Sequence, residues 1–350
     1  MTPALLLANA KVPPRPGVAL LVPPDRAPNE RFAELARQLV DVGEERIRGM
    51  DADGIDMQLL LLSAPGVQVF DKETAVEMAR DANDYLHEAI RAHPTRLAGL
   101  AAIAPQDPSA AAEELERSVR RLGLHGAVIN SHTNDEYLDA AKYRPIFEAA
   151  QALDVPVYIH PREPVAPMNR SFYDSPVLSG AAWAYAVEAG TQALRLIGSG
   201  IFDELPKLQI VLGHLGEGIP FWLPRIDNRY LASSRGKPRL PRLPSEYFAA
   251  HFHVTTSGMN YWPQLKSVID VVGIDRVLYA TDYPFEQQRE AVRQVEEMPL
   301  SEDDKTKLFE TNAKRVFKIS TAPELAASPP RRWPFPTFSW PDSSARSRGP

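Results

Sequence analysis

Seven short apolar runs recur along the chain with helical-period segments between them, and this alternation restricts the fold more than any other feature. The runs are DMQLLLLS (56–63), LAGLAAIA (97–104), GAVINS (126–131), PVYIH (156–160), QIVLGH (209–214), FHVTTSG (252–258) and RVLYATD (276–282). Between them lie amphipathic stretches such as RFAELARQLVDVGEERIRGMDADG, ETAVEMARDANDYLHEAIRAH, SAAAEELERSVRRLG and YRPIFEAAQALD, the first and third of which stop at glycine. Strand followed by helix, repeated, builds a parallel sheet. An eighth strand closes a barrel, and only the N-terminal PALLLANA or GVALLVPP can supply it, so the sequence predicts a TIM-type (β/α)8 barrel with an atypical first strand. A 350-residue chain with 44% hydrophobic residues is large enough for such a core.

The barrel domain is expected to end at residue 320, after a last helix over 301–319 that has a serine cap, an acidic first turn and a basic last turn. Residues 321–350 are rich in Pro, Ser and Arg and read as a disordered tail, whose Trp333, Phe335, Phe338 and Trp340 are unusual for a solvated segment. The proline-rich stretch 233–247 reads as a long loop.

A net charge of −6 and a pI near 5.8 give no attraction to nucleic acid or anionic lipid, so a small molecule is the expected partner. The absence of cysteine removes disulfides, thiolate catalysis and Cys-based zinc sites, and agrees with a cytoplasmic location. The apolar runs near the N-terminus lack a basic flank and are broken by proline, so neither a signal peptide nor a membrane segment is expected.

Active sites of barrels gather where strands end, and four ends here carry polar groups. PVYIH ends at His160, QIVLGH at His214, RVLYATD at Asp282, and GAVINS near Asn130. Two imidazoles and a carboxylate facing one mouth suit Zn²⁺ or Mn²⁺. One histidine at a strand end is ordinarily structural; three aligned polar ends reverse that balance. Glu217, three residues beyond His214, reads equally as a helix-end carboxylate or as the orienting partner of that imidazole. His253 faces either the mouth or the barrel wall, whereas His87, His93, His125 and His132 fall on helices or loops where exposure is the ordinary state. Arg225 and Arg229 are helical arginines, one of which would serve a carboxylate-binding mouth.

The stretches VYIHPREP, SGIFDELPKLQIVLGHLGEGIPFWLPRIDNR, FHVTTSG, LYATDYPFE and NAKRVF, with MDADGIDMQLLLLSAPGVQ and DPSAAAEELERSVRRLGLHGAVIN upstream, resemble the amidohydrolase-related nonoxidative decarboxylases. Within them the likeness is to the γ-resorcylate and 2,3-dihydroxybenzoate decarboxylases, and it runs from about residue 30 to 319 in consistent order. It implies a TIM barrel, a dimer or tetramer, and removal of CO₂ from a hydroxylated aromatic acid with one divalent metal, Zn or Mn. By the same resemblance His160 and Asp282 are metal ligands, Asp282 also delivers the proton, and His214 with Glu217 is the catalytic pair. Arg225 matches a residue that reaches a neighbouring subunit's substrate, and Asn130 and Phe285 match pocket-lining positions.

The departure is at the start, where the family places a Glu-x-His ligand pair and this chain has Leu7 and Asn9. Leucine cannot coordinate a cation, and an amide oxygen is a weak ligand beside imidazole. Two alternatives therefore stand beside the carboxy-lyase: a metal-dependent hydrolase of a lactone or amide, and a non-catalytic homologue that binds an aromatic acid.

Overall fold

The computed structural model describes residues 30–172, 174–233 and 240–320, with the side chains of 30–33 excluded. The expected first strand, Leu7, Asn9 and the tail from 321 lie outside the described residues. All seven apolar runs form parallel strand segments. β1 (Gln58–Leu60) pairs with β2 (Leu97–Gly99), and β3 (Ala101–Ala102), β4 (Ala127–Asn130), β5 (Val157–His160), β6 (Ile210–Leu212), β7 (Phe252–Thr255) and β8 (Val277–Leu278) follow in sequence order in one sheet. β2 and β3 are one run bent at Leu100, whose N–H donates to Leu60 O while the next N–H, of Ala101, donates to Gly126 O.

Alternate residues of this wall enter two different cores, which is how a strand buried on both faces reads as continuously apolar. Leu100, Ala102, Val128, Tyr158, Val211 and Leu278 belong to one buried cluster, the barrel interior. Ala101, Ala127, Ile129, Val157, Ile159, Ile210, Leu212 and Val254 belong to the other, against the helices. Those helices are α1 (Glu30–Val40), α2 (Glu44–Asp53), α3 (Lys72–Ala92), α4 (Pro108–Leu122), α5 (Arg144–Leu153), α6 (Ala184–Gly198), α7 (Ile219–Ser233), α8 (Pro244–His251), α9 (Trp262–Val272) and α10 (Gln288–Glu296).

Four expectations need correction. The stretch read as one helix before Gly54 is two, α1 and α2, because the Asp41 carboxylate accepts from Gly43 N at 3.0 Å and turns the chain. The 233–247 loop is interrupted by α8, which begins with Pro244 in its first turn, where a missing N–H costs nothing. The last helix keeps its Ser301 cap, which accepts from Asp304 N, but passes through a π-helical turn at Lys307–Thr311 between Glu302–Thr306 and Asn312–Phe317. Finally, His214 and Asp282 stand beyond strands that end at Leu212 and Leu278.

His253 takes the wall reading. It is 3% exposed, its Nε2 accepts from Arg276 Nη1 at 3.1 Å, and its Nδ1 has no partner. Burial, reinforced by the Arg276 and Arg315 charges, lowers its pKa to about 3. Below pH 6.5 the unfolded chain binds a proton that the folded chain refuses, so this residue makes stability fall as pH falls from 6.5 towards 3. His253→Gln should therefore lose about 1–2 kcal/mol less stability than the parent between pH 7 and pH 5 in urea titrations. Parallel losses in the two proteins would show that His253 is protonated when folded.

Candidate active site

The carboxyl ends of the strands bring Asn130, His160, His214, Glu217 and Asp282 to one end of the barrel. Asn130 and His160 are register partners on β4 and β5, so they leave the sheet on the same face, in phase with the interior residues Val128 and Tyr158. After β6 the chain passes through extended Gly213 and then takes five successive positive φ values: 48° at His214, 55° at Leu215, 79° at Gly216, 54° at Glu217 and 76° at Gly218. This left-handed turn costs about 1–2 kcal/mol at each non-glycine residue. Position 216 favours glycine, since its φ is +79° and a Cβ would crowd Val254 Cγ1 at 3.0 Å, Pro220 Cδ at 3.1 Å and Phe248 Cζ at 3.2 Å. What the turn achieves is the contact of His214 Nδ1 with Glu217 Oε1, 2.7 Å long, with the Glu217 side chain only 1% exposed.

On its other side, His214 Nε2 lies 3.9 Å from Asp282 Oδ2, an ion-pair contact rather than a hydrogen bond. Asp282, four residues past β8, is also left-handed, at φ 62°, and its carbonyl accepts from Phe285 N at 2.8 Å. Burial opposes a charge on His214, but the Glu217 and Asp282 carboxylates on either side outweigh it and raise its pKa to about 10. Burial likewise opposes ionisation of Asp282, yet the adjacent His214 holds that carboxyl below its usual range. His160 behaves oppositely: burial lowers it to about 4, so it is a neutral imidazole. At neutral pH the proton of this cluster sits on His214, between two carboxylates.

Buried polar atoms without partners collect at the same end: Ser63 Oγ, Asn130 Oδ1, His160 Nδ1 and Asn260 Oδ1 all follow or end a strand. Native proteins pair such atoms, so a cluster of them at one mouth marks where a ligand makes the bonds. Asn130 Oδ1 demands a donor, since Asn130 Nδ2 is committed to Leu62 O at 3.4 Å. A neutral imidazole and an ionised carboxylate are the protonation states that a divalent cation requires, so His160 and Asp282 fit one. Among the described residues no group of three His, Asp or Glu side chains is arranged to hold a metal, and these two are the donors available.

Several contributors escape a reading of the sequence. Gln68, buried in the 3-10 turn Gly66–Val69, accepts from Asn130 N at 2.7 Å and donates to Asn130 O, His132 O and Thr133 Oγ1, fixing the end of β4. Tyr158, in the barrel interior two residues before His160, contacts Thr255 Oγ1 at 3.2 Å, which in turn contacts Ser257 Oγ at 2.8 Å. His132 is buried rather than exposed, with Nε2 3.0 Å from Glu163 O. Glu188, also buried, joins Ser131, Tyr137 and Val165 N beneath the rim. Only the PGVQ and EAG stretches themselves signal Gln68 and Glu188, and composition does not distinguish them from core positions.

Arg225 and Phe285 each line a separate hollow. Arg225 lines a groove of about 390 Å³ on the outer face of α6 and α7 with Trp183, Leu194, Trp222, Arg229 and Glu217. Phe285 borders a different hollow of about 620 Å³ with Glu34, Asp53 and Arg289.

Comparison with known proteins adds independent findings. The family profile described as Amidohydrolase matches residues 35–319. A γ-resorcylate decarboxylase of Polaromonas sp. strain JS666 is 43% identical over 303 residues, covering 84% of this chain and 92% of that protein. Among solved structures, 5-carboxyvanillate decarboxylase from Sphingomonas paucimobilis superposes with a TM-score of 0.79 at 46% identity, covering 81% of this chain and 85% of that one. A dihydroxybenzoic acid decarboxylase from Polaromonas sp. JS666, with bound manganese and the inhibitor 2-nitroresorcinol, gives 0.79 at 43% identity over 83% and 90% of the two chains.

Gly66 offers a test of how tightly the mouth is built. Its φ is +59°, and a Cβ there would lie 2.4 Å from Asn130 Nδ2. Gly66→Ala should cost about 1–2 kcal/mol in urea unfolding. An unchanged midpoint would show that Asn130 moves aside freely.

Proposed function

The chain belongs to the amidohydrolase family, and from that premise we propose that it is a nonoxidative carboxy-lyase acting on a dihydroxybenzoate-like acid at the mouth formed by His160, His214 and Asp282. The observation that carries this reading is the His214 imidazole set 2.7 Å from Glu217 Oε1 and 3.9 Å from Asp282 Oδ2, beside the unpartnered Asn130 Oδ1 and His160 Nδ1. Decarboxylation of a ring carbon is served by a proton donor and a carboxylate placed together in this way. The ring carbon bearing the carboxylate takes up a proton, the C–C bond then breaks with its electron pair returning to the ring, and CO₂ departs.

A divalent cation, Zn²⁺ or Mn²⁺, held by His160 and Asp282, would supply charge neutralisation at the acid's phenolic oxygen and carboxylate. The rest falls to the chain itself. Asn130 Oδ1 accepts a hydrogen bond from a ring hydroxyl, a demand that selects hydroxylated rings. His214, oriented through Nδ1 by Glu217, donates to the phenolic oxygen from Nε2 and holds the proton of the resting site. Relayed by way of that phenolic oxygen to Asp282, since Nε2 and Asp282 Oδ2 are 3.9 Å apart, the proton makes this carboxyl the general acid that the ring carbon requires. Reprotonation of His214 from solvent restores the resting state. The apolar ring rests over an interior that includes Tyr158, which is buried and keeps its hydroxyl proton, its pKa pushed up to about 12 by burial.

Purified protein supplied with Mn²⁺ or Zn²⁺ should release CO₂ from 2,6-dihydroxybenzoate, and in D₂O the resorcinol formed should carry one deuterium at the vacated carbon. Glu217→Gln should lower kcat by about a hundredfold, because His214 loses the charge that keeps it protonated and oriented. Absence of CO₂ from a panel of hydroxybenzoates would sink the assignment, and tight binding without turnover would select a non-catalytic homologue.

The outer groove supports a homo-oligomer. Phe221 is 76% exposed and Trp222 51%, an apolar face beside Arg225 and Arg229 that a second copy would cover. Arg225 would then serve the neighbouring subunit. The paired change Phe221→Glu, Trp222→Glu should convert a dimer or tetramer to monomer in sedimentation velocity, whereas an unchanged sedimentation coefficient would exclude this face. No helix among the described residues is long and apolar enough to cross a membrane. The cysteine-free composition supports the proposal of a cytoplasmic location.

A further inference from the structure

A buried guanidinium is expensive unless its charge is met, and Arg46 on α2 is 6% exposed. Its donors are spent on neutral acceptors: Nε on Asp41 O at 2.6 Å, Nη2 on Gln38 O at 2.8 Å and Nη1 on Gln58 Oε1 at 2.9 Å. Among the described residues it forms no ion pair. Its charge lies against the ring face of Tyr283, whose centroid is 4.9 Å from the guanidinium carbon, and is attracted at longer range by the Asp41 carboxylate. Tyr283 is the residue after Asp282.

The segment that follows is gripped by α2 and its surroundings at two more points. Gln58, which accepts from Arg46, donates through Nε2 to Gln288 Oε1 at 2.6 Å. Arg289 reaches back to Asp53 Oδ1 at 3.1 Å and to Ala52 O at 2.8 Å. Asp282 itself lies past the end of β8 in a left-handed conformation, so sheet pairing does not fix it. Its carbonyl accepts from Phe285 N and Glu286 N and closes a turn. Before that turn the chain is tied to the end of β7 at Ala280, whose N donates to Thr256 Oγ1 at 3.0 Å and whose carbonyl accepts from the same hydroxyl at 2.9 Å. After Asp282 the first tie is the Tyr283 ring on Arg46.

We propose that Arg46 is a positioning residue for Asp282, holding the carboxylate at the mouth by pinning Tyr283 from behind. A merely structural arginine at this place would cost stability when replaced by an apolar residue, because Asp41 O, Gln38 O and Gln58 Oε1 would lose their donor, but its loss would leave the Asp282 turn where it rests. Replacing a positioning arginine shifts that turn as well, since the charge over the ring sets where it rests. The inference rests on the role proposed above for Asp282.

The variants Arg46→Met, Arg46→Lys, Tyr283→Leu and the Met/Leu double mutant separate the two, with Leu115→Ala as a core-destabilised control far from this segment. Amide hydrogen exchange of the peptide covering 282–289, Mn²⁺ affinity by electron paramagnetic resonance, and kcat and KM are read for each. Arg46→Met should speed exchange in that peptide about tenfold, weaken Mn²⁺ about tenfold and lower kcat about a hundredfold, with KM moving less than about threefold. Arg46→Lys, which keeps the charge without the fork, should recover part of each loss. In these positional readouts the double mutant should be no worse than Arg46→Met, because that change already removes the guanidinium from the Tyr283 ring. Leu115→Ala should lower the unfolding midpoint and leave the other readouts in place. If Arg46→Met lowers only the midpoint, as that control does, the positioning role is wrong. If the parent protein decarboxylates nothing, the carboxy-lyase reading fails by itself, and exchange at 282–289 still decides the part played by Arg46.

Discussion

The contact between His214 and Glu217 is the constraint on which the site depends. A carboxylate that is almost fully buried, 2.7 Å from an imidazole nitrogen, fixes both the charge and the direction of the ring. It is reached only through the left-handed turn after β6, whose backbone cost is sustained by close packing of Gly216 against Val254, Pro220 and Phe248. With Nδ1 committed to Glu217, Nε2 is left to face Asp282 and the mouth. The protonation pattern follows: His214 charged, Asp282 ionised, His160 neutral.

The barrel supplies this cluster with two kinds of support. From below, interior side chains in phase with Asn130 and His160 keep water out, and the Tyr158, Thr255 and Ser257 hydroxyls satisfy one another. From the side, loops are cross-tied by single buried polar residues: Gln68 between the ends of β1 and β4, Glu188 beneath the rim, Arg46 behind the Asp282 turn. Rigid strands set the positions to within a residue or two, and these ties set the orientations.

Much of the fold was legible because parallel strands are buried on both faces and leave long apolar runs that few other structures produce. Their ends were less so. QIVLGH reads as strand through His214, yet pairing stops at Leu212, since glycine followed by left-handed residues cannot continue a sheet and nothing in residue type announces the change at His214 itself. Pro244 reads as a loop residue because proline signals turns, but at the first turn of α8 it starts a helix. In the site, the polar strand ends stood out by type and spacing, and Asn130, His160, His214 and Asp282 do lie at one end of the barrel. Gln68, Tyr158 and Arg46 did not stand out, because each acts through a contact with residues distant in sequence. Phe285 and Arg225 line two other hollows, neither of which includes His160, His214 or Asp282, and family likeness rather than local chemistry singles them out.

The central claim is that one mouth, bounded by His160, His214 and Asp282, holds both cation and acid. Anomalous X-ray scattering at the manganese edge, from crystals grown with Mn²⁺ and 2,6-dihydroxybenzoate, tests it most directly. The account predicts a single strong peak ligated by His160 and Asp282, with a ring hydroxyl against Asn130 Oδ1 and a phenolic oxygen against His214. A manganese peak away from these residues, or the acid seated in the groove beside Trp183 and Arg225 with the mouth empty, would contradict it.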